Sequence, residues 1–145
     1  MKLYLGLRVF ILLILIFIAI EDIKTKSVSS IFLYAINVFQ IVSAYMIKDS
    51  LYFKNKLLFA IIIFAIYYSF KYSRRMVGEA DIIFLCLQLI SLNVKSFIIF
   101  WWTYLIISLI YGIILYIHKN DSHIPMFPAF AVGELSVIIY LGGIL

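Results

Sequence analysis

The run Val9–Ile20, VFILLILIFIAI, decides the fold. It is apolar at every position, so neither face of a strand could be set apart as polar. A membrane β-strand alternates apolar and polar residues, and this run does not. Ile and Phe favour strands in water. In lipid the backbone must satisfy its own hydrogen bonds within the segment, and helix overrides that preference. The run extends to a span over Leu3–Ile20, with Lys2 and Arg8 near its start. A cleaved signal peptide would need a small-residue cleavage site after its apolar stretch. Here FIAIEDIKTK passes straight into charge, so a retained helix is expected.

Working outward, the composition repeats the message. The chain has 145 residues, 66% hydrophobic and 13% charged, against about 25% charged in soluble domains. That is too little polar sequence to cover a water-soluble globule. Five further spans are expected: Val28–Ile47, Leu57–Phe70, about Ala80–Leu92, Phe97–Ile117 and about Phe127–Leu145. The third and fourth spans of the six are short for a bilayer core of about 30 Å, so they should extend into their polar flanks or tilt little. The expectation is all-α: one polytopic transmembrane domain over residues 1–145, with about six helices and no separate soluble domain. The net charge of +5 is scattered between apolar runs. That pattern suits lipid headgroups and offers no basic face to nucleic acid. The single cysteine, Cys86, rules out an internal disulfide, and a lone cysteine is no zinc site.

Six spans fix a parity. The junctions after spans one, three and five share one face, which carries Glu21, Asp22, Glu79, Asp81 and Asp121. It also carries His118, His123, Pro125 and Pro128. Both termini lie on the opposite face. The acidic face holds Lys24, Lys26, Lys71, Arg74, Arg75 and Lys119, against Lys2, Lys48, Lys54, Lys56 and Lys95 on the other. The small excess leans toward a cytoplasmic acidic face.

Asp22 closes span one and Asp81 opens span four, at one depth on one face. Two carboxylates brought together do not both ionise easily, so one can hold a proton while the other is charged. Such a pair can split and deliver one water molecule. The ionised aspartate draws off a proton, and the protonated one stabilises the oxyanion and then protonates the leaving amine. This needs no metal and no cofactor. The plainer alternative is solvation at an interface: Asp22 beside Lys24 and Lys26, and Asp81 at a helix N-terminus whose dipole favours it.

Local sequence favours the chemistry. GEAD, Gly78–Asp81, resembles the GxGD signature of membrane aspartyl peptidases, with Ala80 in place of the second glycine. The glycine would allow close backbone approach ahead of the aspartate's helix. EDIKTKSVSS, Glu21–Ser30, resembles the first-aspartate segment of type IV prepilin and preflagellin peptidases, with Ser29 and Ser30 where Pro-Asn often stands. The turn there should be built differently. Ile83 replaces a basic residue often found two positions after the second aspartate. HIPMFPAFAVGEL, His123–Leu135, is similar to that family's proline-containing lead-in to the last helix, with Pro125, Pro128 and Gly133.

The resemblance implies a short, peptidase-only form with Asp22 and Asp81 catalytic and no N-methyltransferase domain. The implied substrate is a pilin-like precursor: a type IV prepilin, pseudopilin or archaellin-like chain with a short basic leader. Cleavage would fall at the cytoplasmic face. Glu79 would contact the leader, or serve only as a helix N-terminal charge. Glu134, within span six, would border the cavity or hydrogen-bond a neighbouring helix. His118 and His123 read as solvated interfacial residues rather than metal ligands. Trp101, Trp102 and Tyr104 read as an aromatic belt near the non-acidic face. The alternative from another class is a small ion-coupled transporter or channel using Asp22, Asp81 and Glu134. It would place carboxylates at mid-depth beside broken helices.

Overall fold

The long apolar runs fold as helices, and no strand occurs among the described residues. The computed structural model describes residues 2–25, 27–47, 50–69, 78–117 and 126–143. It contains α1 (Lys2–Thr25), α2 (Ser30–Met46), α3 (Ser50–Ser69), α4 (Glu79–Ser91), α5 (Val94–Ile117) and α6 (Phe127–Gly142). Two of these, α1 and α5 over Val94–Ile114, are long and apolar enough to cross a membrane. At 24 residues each, α1 and α5 measure about 36 Å. The apolar helices α2 and α6 are shorter, at 17 and 16 residues.

The surface is turned inside out relative to a soluble protein. Phe17, Phe59, Trp102, Leu109 and Ile139 face outward, while Arg8, Gln40, Gln88 and Glu134 have no exposed surface. An apolar exterior this extensive belongs against lipid. Helix α6 packs on α5 and α1, α4 packs on α2 and α3, and α1 packs on α2. The core runs through Ile11, Leu15 and Ile18 of α1, Phe84 of α4, Phe100 of α5 and Phe130 of α6. Phe84 and Phe130 have ring centroids 4.6 Å apart, which joins α4 to α6. A Cβ on Gly133 would lie 2.9 Å from the Phe100 ring. Glycine is what lets α6 close on α5.

Several boundaries differ from the sequence expectation. Helix α1 continues to Thr25, so Asp22 lies one turn inside the helix rather than closing it. Helix α3 begins at Ser50 and takes in Lys54 and Lys56. Lys56 is therefore not a loop charge. It is 9% exposed, and its Nζ donates to the Leu92 carbonyl at 2.6 Å. Helix α4 does not extend. It has 13 residues, about 20 Å. The next helix stops it: the Asn93 side chain accepts the Ser96 N–H at 2.8 Å, an N-cap for α5.

The aromatic belt is corrected at Tyr104, which points inward. Its ring stacks on Phe130 at 4.8 Å, and its hydroxyl contacts Met126 Sδ at 3.6 Å. A position ten residues into α5, beside the start of α6, is not the non-acidic interface.

Candidate functional site

The four described carboxylates of the acidic end sit on two short stretches, Glu21–Asp22 near the end of α1 and Glu79–Asp81 at the start of α4. Asp121, His118, His123, Pro125, Arg74 and Arg75 lie outside the described residues.

Asp22 is 4% exposed. Its Oδ2 accepts the backbone N–H of Phe127 at 3.4 Å. Phe127 is the first residue of α6, and its amide is one of the donors that a helix start leaves unpaired. The α6 N-terminus thus holds the Asp22 carboxylate, with the helix dipole favouring negative charge there. Pro128 follows in the first turn, where a missing N–H costs nothing.

Asp81 is half-buried and stands at the third position of α4. Its Oδ2 accepts the Gly78 N–H at 3.1 Å, the carboxylate half of a capping box. A Cβ on Gly78 would meet that same oxygen at 3.1 Å. The close approach that the glycine permits is therefore to the aspartate itself. Gly78 has ordinary extended torsions, φ −69 and ψ 150, so space rather than backbone handedness selects it.

Each aspartate is held at a helix start, Asp22 at that of α6 and Asp81 at that of α4. Asp22 bonds the Phe127 amide. Asp81 stands three residues before Phe84, whose ring lies 6.1 Å from that of Phe127. Each carboxylate has one oxygen on a backbone amide.

Glu21 takes a different part. Its Oε2 accepts the Ser29 N–H at 2.9 Å and folds the chain back from α1 into α2. Thr25 Oγ1 donates to the Glu21 carbonyl at 2.9 Å. These bonds build the turn that lacks Pro-Asn.

Glu79 is exposed and Ala80 half-buried. With Ile83 they form one wall of a groove of ≈ 340 Å³. The other wall is Ser30, Leu33, Tyr34 and Asn37, spaced to share one face of α2. The aspartates do not line this groove. It runs beside the first turn of α4, on the face next to Asp81.

Glu134 is placed elsewhere, in the interior. It has no exposed surface and lies 3.4 Å from Arg8 Nη1. Gln88 joins the two: Arg8 Nη1 donates to Gln88 Oε1 at 2.9 Å, and Gln88 Nε2 donates to Glu134 Oε2 at 2.7 Å. Arg8 Nη2 donates to Ser91 Oγ at 2.8 Å and to the Ser91 carbonyl. Tyr4 Oη also donates to that carbonyl, at 3.0 Å. The end of α4 is thus satisfied inside the bundle by Arg8, Tyr4 and Lys56. Sequence reasoning missed Gln88 and the partner of Arg8. The available signal was spacing: Gln88 follows Asp81 by seven residues, as Glu134 follows Phe127.

No group of three or more His, Cys, Asp or Glu side chains suited to a metal occurs among the described residues. Comparison with known proteins gives no match to a family model, a curated protein or a solved structure.

Proposed function

We propose that this chain is a membrane aspartyl endopeptidase of the prepilin peptidase type. In this reading all six helices are membrane-inserted, the acidic end is cytoplasmic and both termini lie on the other side. The substrate is a pilin-like precursor with a short basic leader ahead of an apolar helix. The observation that supports the reading is that Asp22 and Asp81 each accept a backbone N–H at a helix start, of α6 and of α4.

Water held between the carboxylates loses a proton to the ionised aspartate and attacks the scissile carbonyl. The protonated aspartate hydrogen-bonds the oxyanion. As the C–N bond breaks, the amine takes a proton, leaving a carboxylate on the leader and a new amino terminus on the mature chain. The backbone amides of Phe127 and Gly78 orient the two carboxylates before substrate arrives, which lowers the cost of reaching the reactive geometry. An α-helix hides its carbonyls, so the substrate must unwind near the cut. The groove between α2 and α4 offers apolar Leu33 and Ile83 for its helix, with Glu79 near the basic leader.

The alternative, a small ion-coupled transporter or channel, would also use Glu134. That carboxylate is sealed and paired with Arg8, which leaves an ion little to bind. Co-expression with a panel of pilin-like precursors separates the two. The peptidase reading expects leader removal, read as a mass loss and a new N-terminus. Intact precursors across a panel that inserts normally would sink it.

A further inference from the structure

The Arg8–Gln88–Glu134 network lies outside the mechanism above, yet it joins the three helices that build the aspartate site. Helix α1 carries Asp22, α4 carries Asp81, and α6 supplies the amide that holds Asp22. We propose that Arg8, Gln88 and Glu134 are positioning residues that set the axial register of Asp81 against Asp22; as a role in turnover, this rests on the peptidase reading.

The argument is one of spacing. Gln88 stands seven residues after Asp81, and Glu134 seven residues after Phe127. Seven residues rise about 10 Å along a helix and rotate it by about 20° short of two full turns. Each pair therefore shares a helix face, at matched height. When Gln88 Nε2 meets Glu134 Oε2 at 2.7 Å, Asp81 is brought level with the α6 N-terminus. Between the two layers Phe84 packs on Phe130, and ring contacts tolerate sliding. Arg8 lies fourteen residues before Asp22, again on the same face. The buried stripe Arg8, Ile11, Leu15, Ile18 and Asp22 marks that face. Its guanidinium reaches both Gln88 and Glu134, so α1 is tied to the same layer.

Polar groups suit this task in lipid. Apolar contacts between helices exchange for lipid contacts at little cost, whereas a hydrogen bond broken in hydrocarbon finds no water. A buried polar contact fixing helix register has a precedent in coiled coils. Gln88 is central: it accepts from the cation and donates to the carboxylate, so neither apolar nor acidic replacement reproduces both bonds.

The test reads register without needing activity. In a Cys86→Ser background, Asp22→Cys and Asp81→Cys report their separation through a short bifunctional thiol reagent in membranes. Gln88→Met is added to that pair, with Gln40→Leu as the control. Gln40 is also fully buried, on α2, and its amide makes no hydrogen bond among the described residues. Gln88→Met should lower the cross-linking rate at least fivefold, and Gln40→Leu should not. With both aspartates restored, Gln88→Met should lower kcat for leader removal at least tenfold, with KM within twofold. An Arg8→Gln, Glu134→Gln double variant should cross-link faster than Arg8→Gln alone, because it removes the uncompensated carboxylate. Unchanged cross-linking in Gln88→Met overturns the proposal, whether or not any precursor is cleaved. Altered cross-linking with no cleavage by the wild type upholds the register and overturns the peptidase reading instead.

Discussion

Two polar regions of this molecule use carboxylates in opposite ways. At the acidic end, Asp22 and Asp81 are held by backbone amides of helix starts. In the interior, Glu134 is held by side chains, a guanidinium and a carboxamide, with no exposed surface. A helix N-terminus supports negative charge through its dipole and its unpaired amides. A sealed ion pair spends its charge on its partner. In the peptidase reading the first arrangement assigns a carboxylate to proton transfer. The second leaves it for holding helices together.

The largest stability effect should come from breaking the interior region. Arg8→Leu leaves buried Glu134 without its cation and the Ser91 carbonyl with Tyr4 as its remaining side-chain donor, and removing one partner of a buried pair costs about 3–5 kcal/mol. Unfolding in mixed micelles should register that loss, with Lys56→Met costing less because only one carbonyl is left unpaired. If Arg8→Leu unfolds like wild type, the interior network is not structural. Next in size is Gly133→Ala. Its Cβ would fall 2.9 Å from the Phe100 ring and 3.3 Å from the Phe100 carbonyl, and overpacking costs about 1–3 kcal/mol. A milder loss with Phe100→Leu present would identify the ring as the obstacle. The smallest effect belongs to Glu79→Gln. An exposed change of this kind shifts stability by less than about 0.5 kcal/mol. KM for a basic leader should nevertheless rise a few-fold, and a neutral leader should abolish the difference. An equal change with both leaders would remove Glu79 from leader recognition.

Much of this was readable from residue order. The apolar runs fixed helix over strand, and the fourth span was expected to open at about Ala80 with Asp81 at its start; the helix begins one residue earlier, at Glu79. The extent of α4 matched the expected span within a residue at each end; that Asn93 ends it by capping α5 was not readable, because one asparagine among apolar residues is a small signal. Lys56 looked like a headgroup contact because hydropathy cannot show a carbonyl waiting 36 residues away. Tyr104 looked like a belt residue because proximity to two tryptophans in sequence says nothing of which face turns inward. Gln88 was passed over for a similar reason: a neutral side chain in an apolar run carries no charge signal, and only its spacing from Asp81 links it to the site.

The central claim is that Asp22 and Asp81 act as one catalytic unit, and purified protein in lipid vesicles tests it most directly. Cleavage of one pilin-like precursor would be followed for wild type, Asp22→Asn and Asp81→Asn, each shown to be folded and inserted to the same extent. Asparagine keeps the shape and an oxygen acceptor but cannot shuttle the proton. The account predicts cleavage by wild type and a loss of at least about a thousandfold in each single variant, since members of a catalytic unit fail together. Cleavage by either variant within tenfold of wild type would contradict it.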